Sequence, residues 1–269
     1  MRDKINTSGP SSQSVANKGE AEVLPPGLKW IREVKGRHTG ETCFLIGNGW
    51  SSTYWNIPAM KDHGILIGCN TAFEKHPLDY LIWQDTGPTP ICVKAPCTKF
   101  MPIRKRSRVP EGRVDYSTTY FFGYGRYGKC DDNLELGNSG SLALQMAHFM
   151  GCATTILVGC DCCLIRDARS GIYRSNAFAD KVATRVGSPP KAGYVKRVGD
   201  SNTTNALVGF AKLFERFSRR FENEMDVLKL GGFGIVEIPE IDWPDFYSEM
   251  HPRYRRHSRD SQHQPAEKQ

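Results

Sequence analysis

The 269-residue sequence lacks any uninterrupted apolar run of about 18 residues, the length that a helix needs to cross a bilayer. Its beginning lacks the basic, apolar and small-residue order of a secretory signal segment. The nine cysteines are an odd number, which does not suit a framework of paired disulfides. These absences predict a cytoplasmic protein in a reducing compartment, with no membrane span.

Positive charge is in only moderate excess over negative charge. The formal net charge is +7 and the pI is about 8.9, and much of the excess falls in two basic runs, at residues 104–108 and 253–259. Such basicity favours acidic ligands such as phosphates. Neither run lies on a recognisable module that reads nucleic acid, so a nucleic-acid partner is not expected.

The chain is long and apolar enough, at 39% apolar residues, to bury the core of one large domain. Residues 1–26 and 251–269 carry no apolar period and are rich in polar residues, so we expect two disordered tails, the second of them basic. The domain itself is expected at residues 27–250.

Within that domain, short β-rich apolar runs alternate with segments whose apolar residues recur at helical spacing, a pattern typical of βαβ folds. Predicted strands are residues 42–47, 65–69, 78–84 and 154–159, with one or two closing strands at 227–230 and 234–238; predicted helices are 52–63, 139–149 and 203–223. Residues 86–136 show weak periodicity and predict a lid or insertion. The expected fold is α/β: a single Rossmann-like domain with a mostly parallel sheet and an irregular lid insertion.

The loop after the first predicted strand is the first candidate binding site, with Gly47, Asn48, Gly49 and Ser51. Glycine lets the backbone approach a ligand closely, and free N–H groups at the start of the next helix attract an anion. The loop is not the dinucleotide fingerprint, because the third glycine and the acidic residue after the second strand are absent. An ordinary βα turn is the alternative.

Polar residues also follow the other predicted strands. Asn70, after the second strand, can donate to and accept from a base or ribose. Asp85 and Asp161, after the third strand and the 154–159 strand, can hold a metal ion or accept a proton. Ser139 and Gly140 begin a helix, where backbone N–H groups can bind an anion as they can after the first loop. Because carboxyl ends of parallel strands meet at one edge, we expect one nucleotide site there, although each residue also suits a turn, a cap or a solvated surface.

Arg104 and Arg106 lie in the expected lid, where guanidinium groups could close over a phosphate; a solvated loop is the alternative. The cysteine spacings lack a short C-x2-C knuckle and no histidine pair accompanies them, so we expect no metal–thiolate site. Mg²⁺ is the one candidate cofactor.

Four motifs together resemble a known superfamily: CFLIGNGWSS at residues 43–52, GCNTAF at 68–73, NSGSLAL at 138–144 and GCATTILVGCD at 151–161. They are similar to the bacterial sialyltransferase-like superfamily, which includes archaeal hydroxymethylpterin diphosphokinase-like proteins and many phage-encoded members. The resemblance covers roughly residues 41–165. It implies contacts to the CMP part of a donor from Asn48, Gly49, Asn70, Ser139, Gly140 and Asp161.

One departure from that pattern concerns catalysis. The sialyltransferase branch carries a general-base histidine downstream of the Asp motif, whereas no histidine occurs here between His148 and His251. This departure argues against sialic acid transfer.

The leading hypothesis is therefore a transferase that uses a CMP-, UDP- or ATP-type donor, with glycosyl transfer as the reaction and an unknown acceptor. Asp85 is the candidate general base, and Asp85 or Asp161 would orient the acceptor or a cation. ATP-dependent diphosphate transfer, with both aspartates as Mg²⁺ ligands, is one alternative. A non-catalytic binding or assembly protein is another, and a homo-oligomer stays open.

Overall fold

The computed structural model of the protein describes residues 29–85, 87–104, 114–121, 134–135, 137–166, 173–174, 195–231 and 234–246. The two expected tails, Arg106 and much of the expected lid lie outside these residues. Among the helices of the described ranges, none combines the length and the apolar character that a bilayer crossing requires.

A nine-stranded sheet forms the centre of the fold, in the order β1-β6-β5-β4-β3-β2-β7-β12-β13. Every neighbouring pair in it is parallel. Its strands are β1 Lys29–Trp30, β2 Thr42–Ile46, β3 Ile65–Cys69, β4 Tyr80–Ile82, β5 Thr98–Arg104, β6 Tyr116–Phe121, β7 Thr154–Val158, β12 Asp226–Leu230 and β13 Glu240–Ile241. Two small antiparallel strand pairs among the described residues lie outside it, β8 Ile165–Arg166 with β9 Tyr173–Arg174, and β10 Lys196–Val198 with β11 Ser201–Thr203.

Three α-helices accompany the sheet within the described ranges: α1 Thr89–Cys92, α2 Ser139–Phe149 and α3 Asn205–Phe221. Several connections are 3₁₀ turns instead, at Ile31–Val34, Trp50–Tyr54, Ile57–Asp62, Asn70–Glu74 and Pro244–Phe246. Helix α2 begins at an Asn138 cap and stops before Gly151, whose φ of +86° is left-handed backbone that favours glycine.

The core forms one layer on each face of the sheet. Because side chains alternate along a strand, Cys43 and Leu45 of β2 face the layer that contains α2 and α3, while Phe44 and Ile46 face the layer of 3₁₀ turns. All four are fully buried, and burying the side chain of a leucine, isoleucine or phenylalanine contributes about 1.5–3 kcal/mol. Strand β2 is thus the buried centre of the domain.

The structure has the α/β, Rossmann-like arrangement that the sequence predicts. Strands β2, β3, β4, β7 and β12 and helices α2 and α3 confirm the corresponding predictions. Residues 52–63, expected as a helix or helical turn, form parts of two 3₁₀ turns.

Two expectations about strands are corrected. The expected lid at residues 86–136 contributes two strands, β5 and β6, that extend the central sheet, so these stretches are not an irregular insertion. Residues 234–238, expected as a closing strand, form no ladder: Pro239 follows them, and the last strand in the part of the chain that the structure describes is β13 at Glu240–Ile241.

Candidate functional site

The carboxyl edge of the sheet carries two loops that interlock, one after β2 and one after β7. The amide of Gly47 donates to the Val158 carbonyl and the amide of Gly49 donates to the Gly159 carbonyl, both at 2.7 Å, so the pairing of β2 with β7 continues past the strands. A Cβ at Gly47 would lie 2.3 Å from the Gly159 oxygen, and one at Gly49 would lie 2.5 Å from it. The glycines are required here because the second loop occupies the space of a side chain.

Asp161 joins the two loops through its carboxylate. Its Oδ2 accepts from the Ser51 amide at 2.9 Å, and its Oδ1 accepts a short hydrogen bond from the Ser51 hydroxyl. The Ser51 oxygen in turn accepts from the Gly159 amide at 3.1 Å. Burial raises the pKa of the Asp161 carboxyl above its usual 3.8, while the bonds from Ser51 and the charge of Lys229 act in the opposite direction. Asp161 therefore positions the loops.

The amide groups of the first loop are consequently engaged within the protein. That of Gly47 bonds to the end of β7, those of Gly49 and Ser51 bond to the second loop, and that of Ser52 bonds to the Gly49 carbonyl. The sequence-based expectation of free N–H groups for an anion at this loop is corrected for these four residues. An anion must find its donors elsewhere along the edge.

Asn48 and Asn70 connect the first loop to the end of β3 and to α2. The Asn48 amide nitrogen donates to the Cys69 carbonyl at 3.0 Å. Asn70 adopts left-handed backbone at φ +52°, which asparagine tolerates, and its Oδ1 accepts from the Ser139 hydroxyl at 3.0 Å. These contacts bring Asn48, Asn70 and Ser139 together at one edge.

The amino end of α2 faces this group. The Asn138 side chain accepts from the Ser141 amide at 2.8 Å, and the Ser141 hydroxyl accepts from the Asn138 amide at 3.1 Å, which forms a reciprocal cap. The amides of Ser139 and Gly140, in the first turn, have no partner inside the helix, and the helix dipole adds partial positive charge there. Gly140 is also a packing position, because a Cβ would lie 2.6 Å from the Phe214 ring.

Four buried side-chain atoms in these segments have no hydrogen-bond partner within the described part of the chain: Asn48 Oδ1, Trp50 Nε1, Thr71 Oγ1 and Asn138 Nδ2. An unsatisfied buried polar group costs about 1–3 kcal/mol. Two of the four are donors only, one is an acceptor only, and the threonine hydroxyl is both. A bound molecule with mixed hydrogen-bonding groups would satisfy them.

Asp85 lies beyond the end of β4 and is exposed. Its carbonyl accepts from the Thr89 hydroxyl at 3.1 Å, while its carboxylate makes no hydrogen bond within the described residues. The preceding Gln84 is buried and donates to the Gly137 carbonyl, next to the α2 cap. Arg104 is the last residue of β5, and Arg106 lies outside the described residues.

Sequence reasoning missed the residues that hold the α2 cap in place. Buried Gln145 accepts from the Glu135 amide at 2.7 Å and donates to the Glu135 carbonyl at 2.8 Å. The Glu135 carboxylate accepts from Arg216 at 2.7 Å and from Arg220 at 2.9 Å, both on α3. The spacing of Asn138 and Ser141 is a signal for the cap, whereas Gln145 carries no signal in the sequence beyond being polar inside an apolar helix.

The cysteines near the site are protonated thiols. Burial raises the pKa of Cys69 to about 12 and that of Cys163 to about 12. Among the described residues, no three His, Cys, Asp or Glu side chains are grouped so as to hold a metal ion.

No family model matches the chain, and no curated protein matches it. The fold is similar to that of the MAf glycosyltransferase from Magnetospirillum magneticum AMB-1, with a TM-score of 0.50 and 13% sequence identity over 80% of this chain. The match covers 39% of that protein, so this chain spans about two fifths of its length. The similarity establishes a glycosyltransferase-like α/β fold.

Proposed function

We propose that this protein is a transferase that takes a group from a nucleotide-linked donor, with glycosyl transfer as the reaction. The observation that carries the proposal is the set of four unsatisfied buried polar atoms on the interlocked segments at the carboxyl edge of the sheet. The two central strands, β2 and β7, lie side by side, and the next sheet strand after each lies on the opposite side: β3 beside β2, and β12 beside β7. The chain connections therefore diverge at this edge. Open α/β sheets bind ligands at such a point.

The donor would use both halves of this edge. Asn48, Asn70 and Thr71 offer mixed donors and acceptors for a base and ribose. The first turn of α2, with the amides of Ser139 and Gly140 and the unused Asn138 amide nitrogen, offers donors for a phosphate. Arg104, the last residue of β5, would add positive charge to this site, and we propose the same role for Arg106.

The reaction follows from these positions. An acceptor hydroxyl attacks the anomeric carbon of the donor, the bond from that carbon to the phosphate oxygen breaks, and the nucleotide leaves as an anion. Asp85, whose carboxylate is exposed and unengaged among the described residues, would take the hydroxyl proton. The positive end of α2 would stabilise the leaving phosphate. Asp161 would act as a positioning residue for the first loop.

The hydrogen bonds that Asp161 makes within the protein bear on the alternative of ATP-dependent diphosphate transfer. That reaction would use Asp85 and Asp161 as Mg²⁺ ligands, yet both oxygens of Asp161 already accept hydrogen bonds from Ser51. Glycosyl transfer needs no such release of Asp161. A non-catalytic assembly protein would leave the four polar atoms without a ligand, whereas a non-catalytic binding protein would bind the nucleotide without turning it over.

Calorimetric titration of the full chain with CMP, UDP, GDP, ADP and ATP, each with and without Mg²⁺, tests the proposal. Two variants of the α2 cap are informative, because Asn138→Ser and Asn138→Asp both preserve a good helix cap but remove the amide nitrogen. We expect one nucleotide to bind wild-type protein, about tenfold more weakly to Asn138→Ser, and more weakly still to Asn138→Asp because its carboxylate repels phosphate.

Asn223→Asp is the matched control, because this exposed asparagine precedes β12 at the opposite edge of the sheet. It should leave nucleotide affinity unchanged. Equal affinity in all three Asn138 proteins would contradict the placement of the donor. Absence of binding by every nucleotide would leave assembly without catalysis as the better account.

A further inference from the structure

A cleft of about 690 Å³ lies at the amino-terminal edge of the sheet, opposite the proposed donor site. It opens where β2, β3 and β4 begin. Its lining is polar and consists of His38, Gly40, Glu41, Thr42, Lys61, His63, Gly64, Ile65, Asp79 and Tyr80. The volume falls within the range of small-molecule sites, which is roughly 300–1,000 Å³. None of these residues belongs to the donor site.

One wall of the cleft is formed by His38, Tyr80 and Glu41, of which His38 and Tyr80 share a hydrogen bond. His38 Nε2 lies 2.6 Å from the Tyr80 hydroxyl, and its Nδ1 lies 3.2 Å from Glu41 Oε2. Tyr80 is buried apart from the side that lines the cleft, whereas the Glu41 side chain is 50% exposed at the rim. Glu41 therefore presents its carboxylate oxygens to the cleft as hydrogen-bond acceptors.

The opposite wall contains a cation whose counter-ion is anchored. Lys61 Nζ lies 2.9 Å from Asp79 Oδ1, and Asp79 Oδ2 accepts from the Leu66 amide at 2.8 Å. An ammonium group has three N–H donors, of which Asp79 takes one. His63 adds ring nitrogens that make no hydrogen bond among the described residues, and its ring packs 5.4 Å from that of Trp243 and 5.1 Å from that of Phe246.

Two glycines, Gly40 and Gly64, form part of the cleft between these walls. A Cβ at Gly64 would lie 2.2 Å from the Thr42 carbonyl oxygen, so a larger residue cannot occupy that position. At Gly40 no atom lies within 4 Å of where a Cβ would stand, which places this backbone against open space. The shape of the cleft is thus set by the backbone at these glycines and does not result from loosely packed side chains.

The balance of groups selects the chemistry of the ligand. Lys61 and Asp79 cancel each other's charge, and the remaining Glu41 carboxylate disfavours a phosphate or another anion. A cationic ligand that offers only donors would pair with Glu41 but would leave the remaining N–H groups of Lys61 without an acceptor. A sugar hydroxyl both donates and accepts, so vicinal hydroxyls match a carboxylate, an ammonium group and the His63 imidazole placed around one space.

We propose that this cleft is a second binding site, separate from the transfer site, for a neutral polyhydroxylated molecule of one or two sugar units. Glu41 accepts from one hydroxyl, Lys61 donates to another, and His63 lies between the sugar and the Trp243 ring. The two sites occupy opposite edges of the sheet, so the sugar held here is not the one that reacts. The site would retain a saccharide near the protein.

Saturation-transfer NMR on the full chain with maltose, lactose and sucrose tests this assignment. We expect signal transfer to at least one disaccharide, with affinity reduced about fivefold in Glu41→Gln and about tenfold in Lys61→Met, as expected for the loss of one charge-assisted hydrogen bond. Both side chains are substantially exposed, at 50% and 40%, so neither variant should lower the unfolding temperature appreciably. Asp62→Asn is the matched control, an exposed neighbour that does not line the cleft, and should bind as wild type does.

The outcomes separate the two proposals. Saccharide binding should survive Asn138→Asp, and any nucleotide binding should survive Glu41→Gln, whether or not the transferase assignment holds. Absence of transfer to all three sugars, or equal transfer in the Glu41→Gln, Lys61→Met double variant, overturns the saccharide site. Displacement of the sugar by millimolar inorganic phosphate would assign the cleft to anions instead.

Discussion

Ser51 and Asp161 are joined by two hydrogen bonds across a separation of 110 residues in the sequence. The bonds connect the loop after β2 to the loop after β7, at the point where the two central strands end. Because Asp161 is 5% exposed, these bonds form away from bulk water. The shape of the carboxyl edge therefore depends on this pair.

Removing the Asp161 carboxylate should destabilise the fold. Asp161→Ala leaves the buried Ser51 amide and hydroxyl without their acceptor, which costs about 2–3 kcal/mol in unfolding free energy. Asp161→Asn keeps one acceptor for the Ser51 amide, and its new N–H₂ group can donate to the Ser51 hydroxyl oxygen, so about 1 kcal/mol is expected. Urea unfolding measures both, and equal losses would contradict the bonding described here.

The free energy of unfolding should depend on pH through the Asp161 carboxyl. Its pKa is raised by burial, so the folded state holds the proton more tightly than the unfolded state. The contribution of Asp161 to stability is therefore greatest below the usual pKa of 3.8 and is lost as the pH rises through the raised value. The free energy of unfolding of wild type minus that of Asp161→Asn should fall with pH above about 4 and then level off. A difference that rises with pH would refute the assignment.

Gly49→Ala should be far more damaging than its small size suggests. The new Cβ would lie 2.6 Å from Asp161 Oδ2 as well as 2.5 Å from the Gly159 oxygen, so one loop must move. We expect a loss of about 2 kcal/mol or more in unfolding free energy. Gly87→Ala is the matched control, since nothing lies within 4 Å of its Cβ, and it should change stability by less than about 0.5 kcal/mol.

Gln145 should affect both stability and ligand binding. Gln145→Leu removes the partners of the Glu135 amide and carbonyl, so we expect a loss of about 2 kcal/mol in unfolding free energy. The segment before the α2 cap would then be held mainly by Gln84 and by the Arg216 and Arg220 pairs with Glu135. Nucleotide affinity, measured by calorimetry below the unfolding transition, should fall several-fold. Unchanged affinity in a destabilised protein would limit Gln145 to a folding role.

The sequence predicts the central strands well because their apolar runs are short, uninterrupted and followed by glycine or asparagine. Strand β5 escaped prediction since Lys99, Pro102 and Arg104 break its apolar pattern, and its pairing with β6 shifts between Met101 and Ile103. For residues 234–238 the sequence wrongly predicts a strand for the opposite reason, because their apolar pattern is that of a strand. Val236 and Ile238 are buried as a strand's residues would be, but Lys229 binds the Val236 carbonyl in place of a ladder.

For the candidate site, the sequence predicts which residues reach the edge of the sheet but not what they contact. Spacing after strands places Asn48, Asn70 and Asp161 at a common edge, because parallel strands end together. It does not reveal that Gly49 packs against Asp161, because that contact depends on how two loops distant in sequence meet.

The position of β2 at the centre of the sheet has a consequence for how the chain reaches its native state. One side of β2 pairs with β3 soon after synthesis, but the other side waits for β7, where Thr42 faces Thr154. Until then its apolar residues and unpaired backbone remain open to incorrect partners. Such late, non-local closure slows folding and exposes intermediates to aggregation. Chaperone dependence during translation should therefore diminish only once residue 158 has left the ribosome.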